Sequence, residues 1–284
     1  MKLDAGTFLL QWAVGGLLFG WVTTRRREVS LGYGWLIRIT FGVMAAGAAL
    51  LFLHDDHTWA HNVAAASSIA CVAAAMVALA VSVHRRAAGV RGREEVRAAR
   101  RARVSAMIGR ADDEGVDGGP EFPPALDLIA PILGTIGLFA AAQFAGGPYF
   151  LALARLLVGA VFLGSVSDAM LLGHWYLVQP GLPRGPVKEL VAWCAFAWPF
   201  EIVVFLWPIG MVQVLDGTID DGYHGVLGWI WIGCALLTIG LVAMTWAALR
   251  ERYYSAVMAA TGLLYLAILT AFGTDLIARA VLRP

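Results

Sequence analysis

Three histidines stand in the stretch HDDHTWAH: His54, His57 and His61. On a helix, steps of three and seven residues bring all three imidazoles to one face. Asp55 and Asp56 flank them, and a second polar loop supplies Asp216, Asp220, Asp221 and His224. Imidazole combined with carboxylate suits zinc, copper or iron, so His54, His57, His61 and His224 are candidate ligands for a divalent metal. The spacing matches no zinc signature such as HExxH. A solvated polar turn is the plain alternative.

A second group lies in GHWYLVQPGLPRGP. Trp175 and Tyr176 carry the amphipathic rings enriched at membrane interfaces. Pro180 and Pro183 end the helix before them, and Gly181 allows a tight turn. His174 then falls about one turn inside the interface, on the face of Ser167, Met170 and Gly164. An imidazole there can hydrogen-bond a quinone carbonyl or ligate haem b. Haem b ordinarily wants a second axial histidine at the same depth, and only His84 comes near it. A quinone-like ligand therefore ranks ahead of haem, and structural anchoring of the helix end ranks ahead of both.

The remaining candidates are ionisable residues inside apolar runs, where each charge costs at least a few kcal/mol and usually finds a partner. Counting depth along the spans puts Arg38 and Asp168 in the same half. It puts Arg155 and Asp275 about six residues in from the other side. The expectation is an Arg38–Asp168 pair and an Arg155–Asp275 pair. Glu201 lies near the middle of its span with no arginine at its depth. It can bind a cation, relay a proton, or donate one hydrogen bond between helices. Pro199 and Pro208 are expected to bend that helix and free carbonyls around it.

Such residues need membrane helices to hold them. The 284-residue chain is 60% hydrophobic and 14% charged, with a mean hydropathy of +0.72. Soluble domains are about 25% charged, so too few polar side chains exist to cover a water-facing surface. Runs of 18 or more apolar residues without alternation predict an all-α, polytopic membrane helical bundle and not a β-barrel. Eight spans are expected: 7–23, 31–53, 60–83, 124–145, 149–178, 187–213, 225–249 and 254–281. The 149–178 stretch carries Arg155, Asp168 and His174 together, so any specific function is expected to run through it.

Arginine placement orients the bundle. Arg25, Arg26 and Arg27 follow the first span where a signal peptide would carry charge before it. Nine arginines lie between Arg85 and Arg110, against Glu94 and Glu95. Positive-inside counting makes 84–123 a cytoplasmic arginine-rich loop within a single membrane domain, 1–284, with both termini on the outer side. That loop is read as touching anionic headgroups. Segregated arginines at a net charge of +1 do not suggest nucleic acid.

Several chemistries lack motifs. Cys71, Cys194 and Cys234 sit singly in apolar runs, without CxxC. No GxxxxGK[ST], GxGxxG or GxSxG occurs. Lys2 and Lys188 are the only lysines and lie outside span interiors, which argues against a retinal Schiff base. The leading expectation is a multi-pass protein of the bacterial inner membrane: a redox-associated subunit binding a quinone-like molecule around His174, Trp175, Tyr176, Asp168, Glu201 and Arg38. The alternatives are a transporter or channel for a cation or proton through Glu201 and Asp168, and a structural subunit among other membrane subunits.

Overall fold

In lipid an apolar chain can satisfy its backbone groups only inside helices or closed barrels. The computed structural model, which describes residues 4–54, 58–86, 122–179, 182–208, 210–251 and 253–282, follows the helical solution. Its elements are α1 Ala5–Thr24, α2 Leu31–His54, α3 Trp59–His84, a 3-10 turn Pro124–Leu128 running into α4 Ile129–Ala141, α5 Tyr149–Val178, α6 Gly185–Leu206, the short α7 Met211–Leu215, α8 Val226–Arg250 and α9 Tyr254–Val281. Eight stretches are long and apolar enough to cross a membrane, and no strand occurs among the described residues. The chain is a multi-pass, membrane-embedded helical protein. His57, Asp55, Asp56 and most of the arginine-rich loop lie outside the described residues.

Two spans end earlier than expected. α6 stops at Leu206 and not at 213, because a residue before proline is pushed out of the helical region. Trp207, preceding Pro208, is extended at φ −139°, ψ 151°. Pro199, by contrast, stays inside α6. The fourth span enters as a 3-10 turn behind Pro123 and Pro124, and its α-helix closes at Ala141.

The helices form two rings of four. In the first, α1 packs on α2, α2 on α3, α3 on α4 and α4 back on α1; in the second, α5, α6, α8 and α9 close in the same order. The rings meet mainly where α1 crosses α5, and these two helices are the most buried of the spans, at 67% and 61%.

Small residues make that crossing possible. A Cβ on Gly15 would stand 1.9 Å from the Ala160 carbonyl oxygen, and one on Gly164 would stand 2.3 Å from the Gly15 carbonyl carbon. The backbones touch, so Gly164→Ala should cost about 1–3 kcal/mol through forced separation of the helices. Gly240→Ala is the control: nothing lies within 4 Å of its Cβ position. Thermal melts in detergent should show Gly164→Ala well below wild type and Gly240→Ala unchanged or slightly above.

Polar contacts gather three of the turns at one end. Arg25 and Arg26 both pair with Glu189 at the start of α6. Arg184 donates to the carbonyls of Glu251 and Tyr253 between α8 and α9. This is the arginine end of the bundle, and the residues around Asp4, Tyr149, Leu206 and Val281 lie at the other.

Candidate functional site

Near the end opposite the arginines, four helices turn polar side chains inward. The chemistry starts from the end of α6, where the chain turns extended at Trp207 and leaves the carbonyl of residue 204 without a helical donor. Val204 is that residue, and its oxygen accepts instead from Arg155 Nε at 2.8 Å. The Arg155 guanidinium also lies over the Phe205 ring, 5.4 Å from its centroid. Asp275 takes its arginine from its own helix. Arg279, one turn on, donates Nε at 2.6 Å and Nη2 at 3.2 Å to the two carboxylate oxygens. Arg279 Nη2 also donates to Gln11 Oε1 on α1, and its charge rests against the Phe8 ring at 5.8 Å. Gly159 leaves room for this set, since a Cβ there would stand 2.3 Å from Gln11 Nε2.

The expected Arg155–Asp275 pair is therefore replaced by Asp275–Arg279. Helical side chains lean toward the N-terminus of their helix. That lean carries Arg279 back onto Asp275, and it carries Arg155, at the start of α5, outward to Val204.

Glu201 completes the group from α6, within electrostatic reach of Asp275, Arg279 and Arg155. It is 0% exposed, receives no hydrogen bond from an N–H or hydroxyl donor, and has the Asp275 carboxyl as its side-chain hydrogen-bonding neighbour. Depth counting found no arginine for it; the structure brings two near. An apolar layer covers the group toward the membrane surface: Phe205, Met211, Val214 and Trp231, with Leu156 below them.

Toward the arginine end, Asp168 is likewise 0% exposed with both oxygens unpartnered. The expected partner is elsewhere. Arg38 binds Asp127 at the foot of α4 through Nε and Nη2, each at 2.7 Å, and Thr24 adds a hydroxyl at 3.2 Å. The same lean explains the correction. On α2 it draws Arg38 toward the arginine end, and on α5 it draws Asp168 the opposite way. Gly20 stands between them. Its Cβ position is 3.9 Å from Asp168 Oδ2, and it lines a cavity of about 10 Å³ bounded by Arg38 and Asp127. That volume is near the minimum for one water molecule. Around Asp168, Tyr33 donates its hydroxyl to the backbone oxygen at 3.3 Å. Ser167, next along, accepts from Trp12 Nε1 at 2.8 Å.

His174 points out of the bundle and shares a hydrogen bond of 3.1 Å with the Tyr265 hydroxyl. Trp175 turns to Ser30 at 2.8 Å, and Tyr176 is buried with its hydroxyl on the Pro183 carbonyl. The three neighbours thus serve three different surroundings.

Of the outer histidines, His61 shares a hydrogen bond with Thr58 at 2.7 Å and stacks on Phe144 at 3.9 Å. His54 ends α2, and His224 is exposed in the loop before α8. That loop spends its carboxylates on its own backbone. Asp216 accepts from Thr218 N at 2.9 Å and Asp220 from Gly222 N at 2.8 Å. Asp221 accepts from Tyr223, Gly225 and Leu227 at 2.8–2.9 Å. The Thr218 hydroxyl and N–H hold the Asp216 carboxyl below its ordinary range. Among the described residues no three histidine, cysteine or acidic side chains converge as metal ligands.

Sequence reasoning missed Asp127, Arg279 and Gln11. The DLIAR spacing of Asp275 and Arg279 was the available signal, because residues four apart share a helix face. No protein-family model, no curated protein and no solved structure matches this chain.

Proposed function

We propose that this chain translocates protons, as a member of the secondary-transporter class, with Glu201 and Asp168 as its proton-carrying groups. The supporting observation is a pair of wholly buried carboxyls at two depths of one bundle, neither holding an N–H or hydroxyl donor, with Asp168 unpartnered and Glu201 facing the Asp275 carboxyl. Ionisable residues inside a membrane are costly and tend to mark ion or proton routes. A structural acid would be expected to hold a cation directly, as Asp127 holds Arg38 and Asp275 holds Arg279. Arg155, Arg279 and Asp275 tune the charge around Glu201. Gly20 stands between Asp168 and the small cavity beside the Arg38–Asp127 pair.

The test is a pH gradient across vesicles. Reconstituted protein should collapse an imposed gradient faster than empty liposomes, read with a pH-sensitive dye inside. Glu201→Gln and Asp168→Asn should each return the rate to that of empty liposomes. Both should stay folded, within about 1 kcal/mol of wild type, because Asp168 has no hydrogen bond to lose and the amide of Glu201→Gln keeps an N–H to give the Asp275 carboxylate. A wild-type rate equal to empty liposomes, or full flux in both variants, overturns the proposal.

A quinone-like ligand is a second reading, favoured by one observation: the His174–Tyr265 pair faces outward, where a lipid-soluble carbonyl compound could reach it. The proposed setting is a bacterial inner membrane, arginine end in the cytoplasm, Asp4 and Leu282 outside. Ala111→Cys should then resist an impermeant thiol reagent in intact cells while Asn62→Cys reacts. The reverse labelling would invert the orientation.

A further inference from the structure

Between α6 and α8 the ring leaves a gap on its outer side. A groove of about 390 Å³ lies there, lined by Val191, Ala192 and Ala195 on one side and Val242, Ala243 and Trp246 on the other. Its lining is apolar apart from the indole of Trp246, so it offers almost nothing to recognise a polar ligand by. Ala192, Ala195, Ala243 and Trp246 are exposed, so the groove opens sideways to the acyl chains of the membrane. At its far end the Trp198 indole donates to the Ala235 carbonyl at 2.9 Å and draws the two helices together.

The other end is basic. Lys188 precedes Ala192 by four residues and Ala195 by seven, so it stands on the same face of α6. Arg250 follows Trp246 by four and Ala243 by seven, and so stands on the same face of α8. Arg184, bound to the Glu251 and Tyr253 carbonyls, joins the start of α6 to the end of α8. The two cations therefore crown the same end of the groove. Glu189, next to Lys188, is taken up by Arg25 and Arg26. Glu251, next to Arg250, and Glu28, whose carboxylate lies 3.5 Å from the Cβ position of Gly185, are the acids at this end outside those pairs among the described residues.

We propose that this groove is a binding site for an anionic phospholipid, with an acyl chain between α6 and α8 and the phosphate between Lys188 and Arg250. The apolar slot accounts for the chain, and the paired cations account for the charge of the headgroup. A zwitterionic lipid would fill the slot equally well but gain little from the basic crown.

Brominated acyl chains, which quench tryptophan on contact, read this directly. The protein has 11 tryptophans, so the Trp246 share is the quenching lost in Trp246→Phe. Full-length protein is reconstituted in phosphatidylcholine vesicles with a small fraction of brominated phosphatidylglycerol or brominated phosphatidylcholine. The Trp246 share should favour the brominated phosphatidylglycerol, and Lys188→Gln with Arg250→Gln should remove roughly fivefold of preference per charge. Quenching of the other tryptophans stays as the internal sign of a folded, inserted protein. Equal quenching by the two lipids makes the groove ordinary lipid-facing surface and overturns the proposal. So does an absent Trp246 share, or a preference that survives the double substitution.

Discussion

Arg279→Met should cost about 3–5 kcal/mol of stability, the scale for removing one partner of a buried ion pair. The residue is 0% exposed and holds both oxygens of Asp275 while reaching Gln11 on α1. Without it, Asp275 and Glu201 share a dry site whose nearest cation is Arg155. Thermal melting in detergent should show the loss, and Arg279→Met with Asp275→Leu should recover most of it, because no uncompensated charge is left. A single variant that melts like wild type would mean that water reaches the cluster. The same measurement separates structure from transport: Glu201→Gln keeps an N–H for the Asp275 carboxylate, so it should leave the melt almost unmoved while abolishing flux.

The spans were legible because apolar length is a direct physical requirement of the bilayer, and the helix at 149–178 has the expected bounds. The gathering of basic turns at one end was legible too, as Arg25 and Arg26 on Glu189 and Arg184 on Glu251 bear out. Partners were not. Depth counted along Cα positions ignores how far an arginine extends and which way its helix runs. Arg38 and Asp168 are matched in depth but lean apart, because α2 and α5 start at opposite ends. The contact of Arg155 with Val204 depended on α6 ending at Leu206, which leaves a backbone carbonyl open that charge matching does not consider.

Helix association was similarly hidden. Spans that are apolar all round give no amphipathic face from which to read neighbours. The α1–α5 crossing is decided by Gly15, Ala160 and Gly164, which composition records only as small residues. From that crossing follow the two rings, and from the rings the meeting of Gln11, Arg155, Glu201 and Asp275.

The Arg38–Asp127 pair can be separated from the Arg38–Asp168 expectation by a double-mutant cycle. Both members of the observed pair are nearly buried, with side chains 6% and 7% exposed, and the contact is bidentate. Arg38→Met or Asp127→Leu alone should each destabilise by about 3–5 kcal/mol, since each leaves its partner charged in a dry setting. The two together should cost far less than the sum, giving a coupling energy at the upper end of the ~0.5–3 kcal/mol range for residues in contact. Asp168→Asn combined with Arg38→Met should instead be additive within about 0.3–0.5 kcal/mol, as for groups that share no partner. Strong coupling to Asp168 and none to Asp127 would mean that Arg38 spends most of its time on α5. The pairing described above would then be a minor state.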